Sequence, residues 1–426
     1  MAEMRVEIAG LEFPNPILPG AGPLVDNGLK LAAVAAGGAG GLVTRTVTVA
    51  PATAPPRHAE IRGGVLNTPR WSELPLSQWL EIEYPRARAA ADAAGIPLIV
   101  SIGYTAEEVA YLAPRVAPFA DAFELSMMHG EPGLLTDPVT EGELVHRQPV
   151  STWTRGPSPV LDAIRAIKPA TDKPLIVKVN PLGSSEMAAL AREIEAAGAD
   201  AITATNAFGP VTALDVESGR FLLDTPDGHA WLSGAALKPL ALRCVFDIAR
   251  SVSIPVIGAG GITKTEDAVE YLMAGASAVE ITTGALKTGA AFYGRFAGRL
   301  SNWLDAHGYA SVAEIQGLGI RRWESLQPHR DSVPVLYDID ECIGCELCEL
   351  SCHYDAIYMV PGKNKVGGDL VAEFNADRCF GCGLCVVRCP TDALLMPMLQ
   401  RDGIYLHPKT LQPAKPGSGS IETPTR

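Results

Sequence analysis

The first 320 residues alternate short, unbroken apolar runs with longer stretches whose apolar residues recur every three to four positions. The runs "PILPGAG" (16–22), "GGLVTRTV" (40–47), "PLIVSIG" (97–103), "AFELSM" (122–127), "PLIVKVN" (174–180), "AITATN" (201–206), "IPVIGAGG" (254–261) and "AVEITTG" (278–284) predict strands. Continuous rather than alternating apolar character suits parallel strands covered on both faces. The intervening stretches, such as 184–199 and 265–276, carry the helical period. Thr263 and Glu266 fit a capping box opening the second of these. Eight strand–helix repeats in this length predict a (β/α)8 TIM barrel. A doubly wound open sheet is the alternative, but it rarely needs eight similar units. "MRVEIAGLEF" (4–13) predicts a small hairpin covering the barrel's bottom, and Cys244, within a helical pattern, predicts a buried core thiol.

The helical pattern stops at "LQPHRDSVPV" (326–335), where proline and polar residues take over. The expected organisation is a barrel over 1–325, a small module over 326–400 and a mobile C-terminal tail over 401–426. With 47% hydrophobic and 19% charged residues, the composition is globular. No apolar run approaches the roughly 18 residues of a membrane span, and "MAEMRVEIAG" lacks a signal-like basic and apolar succession. A cytoplasmic location without membrane contact is expected. A net charge of -13 argues against nucleic acid as partner. Residues 331–400 hold eleven acidic and four basic side chains, so over half of the negative excess surrounds the cysteines. That acidic surface suits a redox partner's docking face.

Eight of the nine cysteines fall in two copies of one phrase, "CIGCELCELSCH" (342–353) and "CFGCGLCVVRCP" (379–390). Both read C-x2-C-x2-C-x3-C, the bacterial ferredoxin run whose fourth cysteine ligates the other cluster. Cys342, Cys345, Cys348 and Cys389 are thus expected to hold one [4Fe-4S] cluster, and Cys379, Cys382, Cys385 and Cys352 the other. Pro390 fits the motif's last position, where the first copy has His353. Zinc sites use paired C-x2–4-C instead of triplets, and disulfides fit neither the spacing nor the missing signal. The expected module is therefore a small α+β bacterial-type ferredoxin domain. Such clusters pass single electrons, so the barrel should carry a cofactor that converts to two-electron chemistry, usually a flavin.

Barrel chemistry sits at the C-terminal ends of the strands, with phosphate sites after strands seven and eight. "GAGGI" (258–262) and "TTG" (282–284) stand there, and glycines let backbone N–H groups approach a phosphate. No G-x-G-x-x-G follows a strand, so no Rossmann nicotinamide domain is expected. Lys178 ends the fifth strand inside the barrel, where a lysine is expensive unless paired. It could stabilise negative charge on a reduced flavin, or snorkel to solvent. Asn67, Ser126 and Asn206 fall at strand ends or mouth loops, where each could hydrogen-bond a polar ring substrate or simply shape a turn.

"LEFPNPILPGAGP", "GLVTRT", "PLIVKVNP", "AITATN", "LSGAALKPLALR", "GAGGITKTEDAVEYLMAGASAVEITTG" and the double cysteine phrase, in this order, resemble the dihydroorotate dehydrogenase-like FMN barrels. The arrangement is similar to the bacterial dihydropyrimidine dehydrogenase subunits that fuse this barrel to a two-cluster ferredoxin. The resemblance implies FMN across the barrel mouth, a substrate ring stacked on it and hydride exchange at flavin N5. It implies FMN contacts from Ala21, Gly22, Thr44, Arg45, Lys178, Gly234, Gly260, Gly261, Thr282 and Thr283. Asn67, Ser126 and Asn206 would meet substrate. Several positions depart from the pattern. Arg45 stands where the family often has lysine, Ser126 where it has asparagine, and Ala207 where a threonine often follows the strand-six asparagine. His129 takes the place of the cysteine or serine that exchanges the substrate proton, and residues 131–159 match nothing in the family pattern. The implied activity is reduction or formation of a C=C bond conjugated to a carbonyl in a small cyclic substrate. A true dihydropyrimidine or dihydroorotate dehydrogenase, and an electron-transfer subunit with a non-catalytic barrel, are the alternatives. A ferredoxin or an NAD(P)H-oxidising flavoprotein subunit is the expected redox partner, and homo-oligomeric assembly is expected.

Overall fold

A computed structural model describes residues 2–52, 56–68, 71–103, 105–126, 158–223, 225, 228–325, 336–337, 339–395, 400–401 and 404–405. The chain divides into two compact units, Met1–Ser325 and Leu326–Arg426.

The first unit opens with the antiparallel hairpin β1 (Val6–Ile8) and β2 (Leu11–Phe13). Eight parallel strands follow: β3 (Ile17–Pro19), β4 (Leu42–Val43), β7 (Leu98–Ile102), β8 (Ala122–Ser126), β9 (Leu175–Val179), β10 (Ala201–Ala204), β13 (Val256–Ala259) and β14 (Ala278–Ile281). Their order, β3-β14-β13-β10-β9-β8-β7-β4, runs around a nearly closed barrel, as the apolar runs predict. Each strand is followed by a helix: α1 (Gly28–Ala36), α2 (Tyr84–Ala94), α3 (Ala106–Val116), α4 (Ser158–Ile167), α5 (Ser184–Ala196), α6 (Lys238–Ala249), α7 (Thr265–Met273) and α8 (Phe292–Ala306). All five residues of β7, β8 and β9 are buried, one face against helices and the other inside the barrel.

Local chemistry fixes where the helices begin. Thr105 accepts from the Glu108 amide at 3.2 Å and Glu108 accepts in return from Thr105 N, a capping box at the head of α3. At α7 the expected pair of Thr263 and Glu266 is corrected: Asp267 is the residue at the reciprocal position. Its Oδ2 accepts from the Thr263 amide and hydroxyl and from the Lys264 amide. The helix starts one residue later than the box assumed, with Lys264 outside the first turn.

Ile8 and Phe13 of the hairpin pack with Leu18, Val43, Ile99, Ile176 and Ile257, residues of five barrel strands. They close the barrel's bottom, and burial of each such side chain stabilises by about 1.5–3 kcal/mol. Cys244 is buried on α6, its Sγ 3.7 Å from the Leu182 carbonyl, the core thiol expected from its setting.

Two insertions build a second sheet, which the strand pattern did not foresee. β5 (His58–Ile61) and β6 (Gly64–Asn67) follow β4; β11 (Phe208–Val211) and β12 (Ala230–Ser233) follow β10. They pair antiparallel in the order β11-β12-β6-β5.

The second unit is built from short pairs: β15 (Leu336–Tyr337) with β18 (Leu394–Leu395), and β16 (Ile357–Pro361) with β17 (Leu370–Phe374). Ile357, Val371, Ala372, Ala393 and Leu394 form a small core together with cysteines. A last pair, β19 (Gln400–Arg401) with β20 (Ile404–Tyr405), straddles the expected start of the tail, most of which lies outside the described residues. Among the described residues no helix is long and apolar enough to cross a membrane.

Candidate functional site

The C-terminal ends of the barrel strands and one edge of the inserted sheet surround an open cleft. Most of the site residues read from the sequence converge there. Ala21, Gly22, Arg45, Lys178, Gly234, Gly260, Gly261, Thr282 and Thr283 line it, as do Asn67, Ser126 and Asn206. Thr44 does not. It is fully buried, its hydroxyl donating to the Arg45 carbonyl at 3.1 Å and accepting from the Ser101 amide at 3.0 Å. Thr46, two residues on, takes the cleft position instead. His129 lies outside the described residues.

One wall of the cleft is a backbone cradle. Gly260 and Gly261 both have positive φ (114° and 72°), a region that side-chain-bearing residues avoid. A Cβ on Gly261 would sit 2.6 Å from Lys238 N, so this loop packs directly on the start of α6. Across the cleft a Cβ on Gly22 would meet Thr282 Cγ2 at 2.3 Å, which leaves bare backbone beside the Thr282–Thr283 turn. Backbone N–H groups next to the heads of two helices, α6 and α7, form a setting that suits a phosphate.

The floor is charged. Lys178, in register with Ser126 on β8 and Thr203 on β10, points into the barrel. Its Nζ lies 3.3 Å from Glu124 Oε2 and 2.5 Å from Glu280 Oε2. The snorkelling alternative is overturned: the ammonium is buried between two carboxylates. Burial alone would pull Lys178 down, but Glu124 and Glu280 outweigh it and hold the ammonium above the ordinary lysine range. Burial and the nearby Glu124 carboxylate push Glu280 up to about 8, against the opposing pull of Lys178. Ser101 donates to Glu124 at 3.0 Å and Thr203 to Glu280 at 3.4 Å. Sequence reasoning missed both glutamates, although each interrupts a strand otherwise expected to be apolar on both faces. A carboxylate in such a place needs a cation, and Lys178 was the available one.

The inserted sheet forms the roof. His58 and Trp231 are the direct cross-strand partners of Asn67, one on each side. Directly opposed residues share a face, and all three line the cleft. Burial and the Arg45 cation hold His58 below the ordinary histidine range. Ser233 ties the roof to the barrel: its hydroxyl donates to the Val65 carbonyl and accepts from Asn67 Nδ2 and from the Thr283 hydroxyl. His58, Trp231 and Ser233 were missed because nothing in the linear pattern joins two insertions so far apart in the chain.

The cleft also holds unsatisfied polar atoms. Thr205 Oγ1 and Asn206 Nδ2 are buried with no hydrogen-bond partner among the described residues. Buried polar groups are nearly always satisfied, so these two await a polar ligand. Glycine cradle, buried cation and orphaned donors together fit a flavin phosphate and ring system.

In the second unit the cysteines sort into two small cavities. Cys342, Cys345, Cys348 and Cys389 line one, and Cys352, Cys379, Cys382 and Cys385 the other. The fourth cysteine of each phrase thus stands with the other phrase's triplet. The Gly344 and Gly381 amides, two residues after Cys342 and Cys379, donate to those sulfurs at 3.5 and 3.3 Å. The Ala356 amide donates to Cys352 Sγ at 3.2 Å. Burial pushes the Cys348 and Cys385 thiols up to about 11, so bare thiolates are disfavoured there. Bound iron would offset that penalty, and the all-thiolate donor set fits iron–sulfur clusters.

The dihydroorotate dehydrogenase family profile matches residues 3–304. The chain belongs to the dihydroorotate dehydrogenase family. The 4Fe-4S dicluster domain matches residues 341–393. Similar proteins include the dihydroorotate dehydrogenase B (NAD(+)) catalytic subunits of Pyrococcus abyssi and Thermococcus kodakarensis. They are 35% and 34% identical, over 75% of this chain and 99% of each relative. The Geobacter sulfurreducens protein of the same name is 32% identical over 74% of this chain and 97% of its own length. Barrel, flavin chemistry and fused iron–sulfur module are therefore those of a family oxidoreductase acting on CH–CH bonds.

Proposed function

We propose that this chain is an FMN and iron–sulfur oxidoreductase that reduces or forms a C=C bond conjugated to a carbonyl in a ring substrate. The observation that carries this reading is the convergence, in one cleft, of the glycine cradle, the buried Lys178 and the orphaned Thr205 and Asn206 groups. Gly234, Gly260, Gly261, Thr282 and Thr283 would hold the FMN phosphate and ribityl chain, with Ala21, Gly22 and Arg45 closing the opposite side. FMN supplies hydride exchange with carbon and exchange of single electrons with iron–sulfur clusters. Lys178 sits where it would stabilise negative charge. Asn67 and Asn206 orient substrate by hydrogen bonds, Ser126 adds a hydroxyl, and the roof above them excludes water. His129 exchanges the proton at the neighbouring carbon.

The ferredoxin module over 326–400 carries two [4Fe-4S] clusters, one on Cys342, Cys345, Cys348 and Cys389, the other on Cys379, Cys382, Cys385 and Cys352. The relatives' name describes a catalytic subunit and NAD(+), which supports a separate nicotinamide-oxidising flavoprotein as the redox partner of this chain. A ferredoxin is the alternative donor, and homo-oligomeric assembly in the cytoplasm completes the proposal. NADH alone should reduce the chain slowly. A basic partner should accelerate reduction, with a rate that falls as salt rises, because the module's surface is acidic.

The deciding experiment is anaerobic reduction of the purified protein, followed by a screen of cyclic enones, pyrimidines and orotate for compounds that reoxidise the flavin. Reoxidation by orotate or a pyrimidine favours the family's named activity. A flavin that forms, reduces and is reoxidised by no conjugated ring would leave the electron-transfer reading in its place.

A further inference from the structure

A barrel interior that holds charge has to balance it, because an uncompensated ion in a dry site is strongly disfavoured. Around Lys178 the count is uneven: one ammonium faces two carboxylates, and all three side chains are buried. Among the described residues, the other groups packed on them supply no charge. Glu280 meets Gly20 at the end of β3, the Thr203 hydroxyl on β10 and the neutral Tyr293 of α8, whose hydroxyl donates to the Ile281 carbonyl. Glu124 meets the Ser101 hydroxyl on β7, which in turn lies 3.0 Å from the Thr46 hydroxyl. Arg45, a further cation on the cleft wall, donates to the Ala21 carbonyl. The surplus negative charge is relieved by one proton on the carboxylate pair, and the elevated Glu280 carboxyl agrees with that. Lys178 and Glu280 both line the cleft, so charge arriving there is felt by the group at once.

We propose that Glu124, Lys178 and Glu280 form a proton store beneath the flavin site, with Glu280 the positioning residue that exchanges the proton as the charge of the cleft changes. The proposal rests on the flavin reading given above. When two electrons and one proton add to the bound flavin, the cleft gains one negative charge. The carboxylate pair then takes one proton from solvent, forming one O–H bond, and returns it on reoxidation. Lys178 keeps its proton throughout and couples the two sites. At pH values where the store is already protonated, reduction draws no further proton into it.

The test is the midpoint potential of the bound FMN, followed by spectroelectrochemistry from pH 6 to pH 10 in the wild type, Glu280→Gln and Glu124→Gln. Either variant leaves one carboxylate against one ammonium, so the second serves if the first does not fold. Above about pH 8 the wild-type potential should fall more steeply than the variants' by about 30 mV per pH unit, one proton on a two-electron couple. Below that the lines should run parallel. Equal slopes in all three proteins over the whole range overturn the store. If the protein binds no FMN, the flavin reading fails by itself, and the store is judged on the flavin-free chain by infrared difference spectroscopy. A buried carboxylic-acid C=O band present at pH 6, lost by pH 10 and missing in Glu280→Gln supports it; a wild type without that band overturns it.

Discussion

Asn67 Nδ2 donates to Ser233 Oγ at 3.2 Å, joining two insertions 166 residues apart into one roof over the cleft. The same hydroxyl accepts from Thr283 at 3.1 Å, so a single side chain links substrate roof and phosphate-side turn. Replacing Ser233 by alanine removes three hydrogen bonds at once. At about 1 kcal/mol net each, and with partial rescue by water, FMN affinity should fall by roughly tenfold. Titration of flavin fluorescence against the apoprotein measures it. Unchanged affinity would mean that the roof does not report to the flavin site.

The Glu280 carboxyl gives stability a particular pH dependence. Its folded value of about 8 lies above the ordinary 4.5, so between those limits the native state binds more protons than the unfolded chain. Stability from this group is fully present below about pH 4.5 and is lost as pH rises through 8. Lys178, also raised, keeps its contribution below the ordinary lysine value and loses it only in strong base. Thermal melts of Glu280→Gln relative to wild type should therefore show the variant gaining steadily from pH 5 to pH 8 and levelling off above. A difference that is flat over this range would mean Glu280 titrates normally.

How much of this was legible in the sequence follows from how local each signal is. The eight strands are continuous apolar runs, and the hairpin at the bottom is a short two-strand pattern; neither needs distant information. The cysteine phrases fix both ligand type and spacing within a dozen residues each. Lys178 could be read as a buried cation, but its partners Glu124 and Glu280 come from β8 and β14, strands brought to it only by barrel closure. His58 and Trp231 flank Asn67 through pairing between separate insertions, which no periodicity encodes. Thr44 came from the family resemblance alone; in the fold it is buried beneath the cleft, and Thr46, two residues on, lines it.

The two cysteine cavities make the crossed ligation testable. Cys389 lines the cavity of Cys342, Cys345 and Cys348, although its own phrase supplies the other triplet. A fully loaded protein purified without oxygen should hold eight irons per chain. Cys389→Ser should alter the cluster of the first phrase and leave that of the second, and Cys352→Ser should do the reverse. Electron paramagnetic resonance of the reduced variants separates the two signals. Zinc in the place of iron, or damage by Cys389→Ser to its own phrase's cluster alone, would refute the assignment.

Proton transfer to the substrate carbon has two candidate imidazoles, His58 of the cleft roof and His129 of the sequence pattern. His58, on the roof beside Asn67, is held below the ordinary histidine range by burial and by Arg45. At neutral pH it is uncharged and can hydrogen-bond a substrate, but it is a poor source of a proton. The family resemblance proposes His129 in place of the cysteine or serine that exchanges the proton, and a free imidazole near about 6.5 suits that task better than a free thiol near about 8.5. His129→Asn should keep FMN and both clusters and still accept electrons from dithionite, while substrate turnover drops by about 10²–10⁴. His58→Asn should instead raise KM with little change in kcat and leave the pH dependence of kcat in place. Steady-state rates from pH 5.5 to pH 8.5 distinguish the two variants. A His129→Asn enzyme within a few-fold of wild type, or a kcat profile that follows His58, moves the proton from the loop after β8 to the roof.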